Sequence, residues 1–245
     1  MLHPKKVEKL CANGCTVAKQ TNEIKIAAPL LDPLDIDGIV ITADALLTQR
    51  QFACYLVENK QAHYHFTVKA NQPRLLEDLQ YYFKYRQAPD ALITNYGHGR
   101  IETRKIWVTS KLNDYLDFPY VGQAFAIERE SIDKKTKKVS RELVYGITSQ
   151  ADFDASAEKI LEINRGHWCI ENSCHYILDW CFDEDRCRIR TGHGPENITR
   201  LRRFVVGVIK ATSLKGVSET MRKLTMNVRM VFDYLKMTKN SAKPR

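Results

Sequence analysis

The stretch that decides the fold is Gly38-Ile-Val-Ile-Thr-Ala43, which is followed directly by Asp44. It is a short run of apolar and β-branched residues between a glycine and a carboxylate. Such a run is typical of a strand that is buried on both faces of a sheet. Open α/β sheets place their reactive groups at the carboxyl ends of strands, so Asp44 is a candidate functional residue.

The segments that follow this run alternate between helical and extended patterns. Residues 48–59 have apolar positions at helical spacing, His63 to Val68 predicts a second strand, and Pro73 is well placed to begin another helix. The order strand, helix, strand, helix predicts an α/β unit.

The periodicity changes between about residues 91 and 149. Three predicted strands are separated by polar turns at Asn95–Gly99 and Asp133–Lys138. These strands are Ile101–Val108, Ala124–Arg129 and Leu143–Thr148. We interpret this region as an antiparallel β insertion within the α/β domain.

Helical patterns return after the insertion. They cover Ala155 to about Trp180 and Pro195 to about Ala211, and the basic tail from Ser213 is predicted to be helical in part. The expected organisation is a core formed by residues 1–90 and 150–211, an insertion at 91–149 and a basic tail at 212–245.

The composition is that of an ordinary globular protein with an uneven charge distribution. The chain has 245 residues, 38 basic and 29 acidic, and a net charge of +9. Residues 186–245 carry 15 basic and 3 acidic side chains, a net charge of +12, whereas residues 1–185 have a net charge of −3. A basic segment of this kind suits nucleic acid, although a solvated helical surface has the same composition. The apolar runs are too short for a membrane span, and the first residues lack the apolar region of a secretory signal.

The seven cysteines leave a zinc site and reduced thiols as alternatives. Four of them lie between Cys169 and Cys187, close to His167 and His175. Their spacing matches no common zinc module, so reduced cysteines in a cytoplasmic protein are the simpler interpretation.

Glu171 is the second carboxylate that its position singles out. At helical spacing it shares a stripe with Asn164 and His167, whereas Ile163 belongs to a separate apolar stripe that is suited to docking on the sheet. A carboxylate close to a core-facing stripe needs a partner, which is either a divalent metal or a neighbouring Arg or His.

Several short motifs occur in one order along the chain. They are Thr21-Asn-Glu-Ile24, Gly38 to Gln49 with its Thr-Ala-Asp-Ala, Val68-Lys-Ala-Asn-Gln72, His98-Gly-Arg-Ile-Glu-Thr-Arg104, His167-Trp-Cys-Ile-Glu-Asn172 and Glu184-Asp185. From about residue 16 to about residue 210 this pattern resembles the DDE transposases of bacterial insertion sequences, in the branch that contains the H-repeat-associated proteins. Each motif alone is weak, and their shared order is specific.

The resemblance implies an α/β fold with an RNase H-like core, in which a mixed sheet is flanked by helices and interrupted by the β insertion. It implies two-metal phosphodiester hydrolysis and strand transfer at insertion-sequence ends, with two Mg²⁺ (or Mn²⁺) ions as cofactors. Asp44 and Glu171 match the family's second and third metal-binding, catalytic carboxylates. The implied partners are insertion-sequence ends, target DNA and a second copy of the chain in a synaptic complex, at the bacterial nucleoid in the cytoplasm and without a membrane.

One departure from the family pattern bears on activity. The family's first aspartate lies in an Asp-Gly-Lys motif upstream of the Thr-Asn-Glu-Ile segment, and residues 1–245 contain no such motif. Asp37-Gly38 is the single Asp-Gly, and it stands just before the strand that leads to Asp44. We therefore expect a core that is incomplete at its N-terminus and a chain that is weak or inactive by itself.

Six further side chains are candidates for DNA contact, and three of them have a structural alternative. His167 occupies a position where related families have an arginine near DNA, and a packed histidine is its alternative. Lys69 follows a strand, where a capped turn is the alternative, and Arg100 lies in the insertion, where it could instead line a hairpin. Arg200, Arg202 and Arg203 crowd the start of a basic helix and would contact phosphate groups.

Three functions remain open at this point. The first is a DDE transposase that acts in DNA transposition, and the second is a non-catalytic DNA-binding remnant of one. The third is an unrelated RNase H-like phosphodiesterase that cuts nucleic acid without joining ends. Metal binding at Asp44 and Glu171, with cleavage, separates the first function from the second.

Overall fold

The computed structural model describes residues 23–97, 99–167, 176–212 and 216–238. The chain forms two compact units, and the division falls between His167 and Trp168. The described part of the first unit ends at His167, and that of the second begins at Tyr176.

The first unit is a mixed α/β structure. Its helices are α1 (Glu23–Leu31), α2 (Arg50–Cys54, continued by a π-helical turn over Tyr55–Asn59), α3 (Pro73–Phe83) and α4 (Ala157–His167). Its strands are β1 (Val40–Ala43), β2 (His63–Val68), β3 (Ala91–Gly97), β4 (Arg100–Thr109), β5 (Gln123–Asp133) and β6 (Val139–Thr148).

All of these strands belong to one six-stranded sheet with the order β1-β2-β6-β5-β4-β3. β1 and β2 are parallel, and every other neighbouring pair is antiparallel. The carboxyl ends of β1 and β2 therefore lie at the same edge of the sheet as the start of β6, the end of β5 and the start of β4.

Side chains alternate between the two faces of the sheet, and helices cover both faces. Tyr64 and Phe66 of β2 are fully buried in a core that also includes residues of α1, α2 and α3. Phe125 of β5 lies on the opposite face with Ile160 and Leu161 of α4. This alternation follows from the two-residue period of a strand, and it explains why the sequence of β2 reads as a continuous buried run.

Gly146 allows β6 to lie between two crowded neighbours. A Cβ atom at this position would lie 2.2 Å from Cζ of Phe125 and 2.6 Å from the carbonyl oxygen of Phe66. A residue without a side chain is therefore required where β6 joins the parallel strands to the antiparallel ones.

The predicted strands and helices of the first unit are confirmed, and so is the mixed α/β class with flanking helices. β3 was not expected, because the polar residues Asn95–Gly99 were assigned to a turn, whereas β3 extends to Gly97. The antiparallel strands are continuous with β1 and β2 through β6. The proposed domain boundaries at 90, 149 and 211 remain predictions.

The described part of the second unit is helical. It contains α5 (Tyr176–Phe182), a 3-10 turn (Glu184–Arg186), α6 (Gly194–Thr212), α7 (Val217–Met226) and α8 (Arg229–Tyr234). Leu178, Val206, Ile209 and Val217 form its buried core. The helix predicted from Ala155 to Trp180 includes α4 and α5, and residues 168–175 between them lie outside the described part of the chain. Within the described residues, no helix combines the length and the apolarity that crossing a membrane requires.

Candidate functional site

Asp44 lies immediately after β1, at the carboxyl edge of the two parallel strands. Its backbone is extended (φ −66°, ψ 159°), and its carboxylate caps the 3-10 turn Ala45–Leu47 by accepting a hydrogen bond of 2.7 Å from Ala45 N–H. Its side chain is 72% exposed. The sequence thus holds a carboxylate at the edge of the sheet and leaves it open to solvent.

The turn that carries Asp44 is tied to the segment that follows β2. Asn71 Nδ2 donates a hydrogen bond of 2.6 Å to the carbonyl of Ala45, and Gln72 Nε2 donates one of 2.9 Å to the carbonyl of Thr48. Thr48 is fully buried and donates from Oγ1 to the carbonyl of Thr67. The amides of Asn71 and Gln72 therefore hold the backbone of this turn, in agreement with a capped turn as the alternative to DNA contact. We call Asp44–Thr48 together with Lys69–Gln72 the Asp44 edge.

Lys69 is brought next to Asp44 by the parallel pairing of the two strands. Each residue directly follows its strand, and Lys69 Nζ lies 3.7 Å from Asp44 Oδ1. Both side chains are largely exposed, so the ion pair contributes little to the stability of the fold. The lysine remains available to an anion that approaches the edge.

A layer of polar side chains lies between the sheet and α4, beneath this edge. Thr42 and His65 are paired across β1 and β2. His167 Nδ1 lies 3.2 Å from Thr42 Oγ1, and Asn164 Nδ2 lies 3.4 Å from His65 Nε2. The polar stripe of α4 therefore faces the sheet here, and this contact favours the packed alternative for His167.

His65 is enclosed within this layer. It is 2% exposed and stacks on Phe125 with ring centroids 4.6 Å apart. Burial, together with the smaller effect of the nearby His167, lowers the pKa of His65 to about 3. The imidazole is therefore neutral at physiological pH.

Glu171, the second predicted metal ligand, lies outside the described residues. Within the described part of the chain, no group of three or more His, Cys, Asp or Glu side chains is arranged to hold a metal. At the Asp44 edge, the carboxylate of Asp44 is an exposed oxygen ligand of the type that Mg²⁺ prefers.

The remaining DNA-contact candidates lie elsewhere. Arg100 begins β4 at a hairpin turn, and its side chain is exposed. In the second unit, Arg200 forms an ion pair with Glu196 of the same helix. Arg202 is 13% exposed and lies 3.8 Å from Glu184, and Arg203 is half-buried. The enclosure of Arg202 supports a role within the unit, and the proposed DNA contacts of these residues remain predictions.

The cysteine cluster is described only in part, because Cys169 and Cys174 lie outside the described residues. Cys181 Sγ lies 3.1 Å from Ser218 Oγ. A hydrogen bond from the backbone of Ile189, followed by the proximity of Arg202, lowers the pKa of the Cys187 thiol. Both thiols are free.

The sequence interpretation missed two features. Thr42 and His65 were assigned only to buried strands, because an isolated polar residue in an apolar run gives no sign of its partner. The lysines at 134, 135, 137 and 138 were assigned only to a charged turn, because the near-neutral charge of residues 1–185 conceals a local cluster.

Comparison with known protein families assigns this chain to a family. Residues 7–202 match the family described as the transposase DDE domain. The chain belongs to the DDE transposase family. Asp44 and its edge therefore lie inside the matched region of the DDE domain.

The curated relatives of this DDE domain include two proteins of Escherichia coli. The "Putative protein YbfL" of strain K12 is 30% identical over 221 residues, and the "H repeat-associated putative transposase YhhI" of the same strain is 29% identical over 221 residues. Each alignment covers 85% of this chain and 58% of the relative. The chain thus spans little more than half the length of these relatives.

Among solved structures, the DDE domain is similar to the piggyBac transposase in its synaptic complex with hairpin DNA. The similarity covers 92% of this chain and 43% of that one, at 13% identity and a TM-score of 0.40. A TM-score this low does not establish a shared fold.

Proposed function

We propose that this chain acts in DNA transposition as a DDE transposase with an RNase H-like core, and that Asp44 is one of its metal-binding carboxylates. The observation that carries the proposal is the placement of Asp44. An exposed carboxylate is fixed at the carboxyl edge of parallel strands, within a chain that belongs to the DDE family. Open α/β sheets bind their ligands at this edge.

The carboxylate of Asp44 suits a divalent cation such as Mg²⁺ or Mn²⁺. The carboxylate oxygens of Asp44 are hard ligands open to solvent, and Glu171 is proposed as a second ligand on the strength of its motif. Two bound ions would activate the attacking oxygen and stabilise both the attacking and the leaving oxygens of a phosphodiester.

Neighbouring groups fix the backbone around Asp44 or lie beside its carboxylate. Asn71 and Gln72 fix the turn behind Asp44 through its carbonyl groups, so that the carboxylate keeps one position. His167 and Thr42 hold the end of α4 against β1, and Glu171 follows four residues after His167 in the sequence. Lys69 is placed to exchange Asp44 for a phosphate oxygen of DNA, since its ammonium group is exposed beside the carboxylate.

The proposal includes the DNA partners of the reaction. These are insertion-sequence ends and target DNA, handled by a homodimer at the nucleoid. Sedimentation of the chain with and without DNA ends would measure the dimer. We expect weak turnover from this chain by itself, because its sequence matches two of the family's three carboxylates.

One observation favours the non-catalytic alternative, a DNA-binding remnant. Asp37-Gly38 is the single Asp-Gly in the sequence, and both residues precede β1. Asp37 therefore lies at the amino end of the strand, whereas Asp44 lies at its carboxyl end. Asp37 therefore does not lie beside Asp44 at the carboxyl edge of the parallel strands.

A nicking assay on supercoiled plasmid DNA tests the proposal. The chain is incubated with Mn²⁺, alongside Asp44→Asn and the matched control Asp37→Asn, which neutralises an exposed carboxylate at the other end of β1. Mn²⁺-dependent nicking that is lost only in Asp44→Asn supports a catalytic chain. DNA binding without nicking in all three proteins supports the remnant, and failure to bind DNA contradicts both.

A further inference from the structure

Two neighbouring turns of the sheet form one structure, which we call the hairpin tip (residues 96, 97, 99 and 100 together with 133–138). The β3–β4 turn and the β5–β6 turn are adjacent because Arg100 pairs with Asp133 across β4 and β5. The backbone N–H of Lys134 also donates a hydrogen bond of 2.8 Å to the carbonyl of Gly99. The hairpin tip is therefore one connected surface.

The β5–β6 turn has a fixed backbone. The carboxylate of Asp133 accepts hydrogen bonds of 2.9 Å from Lys135 N–H and 2.8 Å from Thr136 N–H. Lys137 adopts a left-handed conformation with φ of 57°, and its N–H donates to the carbonyl of Asp133 at 2.9 Å. The turn thus uses the carboxylate of Asp133 for its own geometry and directs its lysines to solvent.

The hairpin tip carries an unbalanced positive charge. Its cations are Arg100, Lys134, Lys135, Lys137 and Lys138, and all of them are exposed. In the part of the chain that the structure describes, none of the five lies within ion-pair distance of a carboxylate. Asp133 is the one carboxylate of these residues and interacts with Arg100, so five cations face one anion and a net positive charge remains for an anion from outside the molecule.

Farther from the turns, the charged side chains of the same strands form ion pairs. Arg104 and Arg129 both contact Glu102, and Arg141 contacts Glu130. The hairpins therefore balance their charges along the body of the strands. The excess is confined to the end that projects from the sheet.

An aromatic ring accompanies these cations. Tyr96 is 72% exposed, and Lys134 Nζ lies 5.6 Å from the centroid of its ring. Tyrosine, lysine and arginine side chains all donate hydrogen bonds to phosphate oxygens of DNA, so this group of side chains suits a phosphate backbone.

The strand register places the hairpin tip at the same edge of the sheet as Asp44. Val68, the last residue of β2, pairs with Tyr145, and β6 begins six residues earlier at Val139. At the usual rise per residue, the hairpins extend about 20 Å along the strand beyond the end of β2. This length corresponds to about six base pairs of duplex DNA.

We propose that the hairpin tip binds the phosphate backbone of duplex DNA, outside the Asp44 edge. The inference rests on the proposed function, which supplies DNA as the partner, and adds a holding surface outside the metal site. Binding at the tip is independent of base sequence and sensitive to salt, because it depends on phosphate charge.

The test is the salt dependence of binding to a fluorescent 30-base-pair duplex of arbitrary sequence, measured by anisotropy between 50 and 200 mM KCl. Lys135→Gln/Lys138→Gln removes two cations of the hairpin tip. Lys111→Gln/Lys159→Gln removes two exposed cations elsewhere in the first unit. We expect the tip variant to reduce the slope of log K against log [salt] by about 2, and the control to leave it unchanged.

Equal slopes for the two double variants would overturn the proposal. Loss of binding to anionic phospholipid vesicles without any change in DNA binding would assign the surface to a membrane and overturn it as well. These failures are distinguishable from failure of the proposed function. If the parent chain binds DNA and the tip variant gives the same salt dependence as the control variant, the transposase proposal stands and the tip proposal falls.

Discussion

The Asp44 edge and the hairpin tip lie at the same edge of one sheet, and they are built in opposite ways. At the Asp44 edge, side-chain amides reach back to backbone carbonyls and fix one exposed carboxylate. At the hairpin tip, backbone N–H groups bond to the carboxylate and the carbonyl of Asp133 and leave the cations in solvent. The difference agrees with the two proposed tasks, because a metal ligand must hold one position whereas phosphate contacts tolerate mobile lysines.

β6 is the element that joins these two regions, and Gly146 is its most constrained residue. Gly146→Ala would place a methyl group against the ring of Phe125 and the backbone of Phe66. We expect a loss of about 3 kcal/mol in the free energy of unfolding, measured by urea denaturation.

Gly97→Ala is the matched control, because a Cβ at Gly97 meets no atom within 4 Å. It should change the stability little. If both variants unfold at the same urea concentration, the close packing of β6 between β2 and β5 is wrong.

The polar layer beneath the Asp44 edge predicts a dependence of stability on pH. The pKa of His65 is lowered to about 3 in the folded chain, so between that value and about 6.5 the unfolded chain binds a proton that the folded chain does not. Stability should therefore fall as the pH falls below about 6.5, with this residue contributing up to about 2 kcal/mol between pH 7 and pH 5.

His65→Phe keeps an aromatic ring against Phe125 and should remove this part of the pH dependence. His193→Gln, which changes an exposed histidine of the second unit, should not. NMR titration of the His65 ring gives a second measurement, and protonation of the ring near pH 6.5 in the folded chain would contradict the burial of this layer.

The smallest of these effects concerns the turn behind Asp44. Asn71→Ala removes the donor to the carbonyl of Ala45 and should lower the free energy of unfolding by about 1 kcal/mol. Gln49→Ala removes an exposed hydrogen bond to the carbonyl of Leu46 in the same turn and should have a smaller effect. Equal losses would mean that the amide of Asn71 does not hold the Asp44 edge.

The sequence predicted the Asp44 edge better than the hairpin tip for a physical reason. A buried strand that ends in a carboxylate is a local pattern, so Gly38–Asp44 could be interpreted without knowledge of its neighbours. The parallel pairing that brings Lys69 to Asp44 was implied by the strand–helix–strand order.

The hairpin tip depends instead on register. The adjacency of Arg100 to Asp133–Lys138 results from pairing between strands that are more than thirty residues apart in sequence. The contact between Thr42 and His167 has the same character. Composition cannot reveal such contacts. The average charge of residues 1–185 also conceals the local cluster of lysines at the hairpin tip.

The most direct test of the central claim is Mn²⁺ binding to the chain, measured by electron paramagnetic resonance of the free ion. We expect Asp44→Asn to weaken Mn²⁺ binding at least about tenfold. Changing a residue that only orients a metal ligand already lowers metal affinity by about tenfold or more, and loss of the ligand itself should cost at least as much. Asp37→Asn should bind Mn²⁺ as the parent does. Equal affinities for the parent and Asp44→Asn would contradict the assignment of Asp44 as a metal-binding carboxylate.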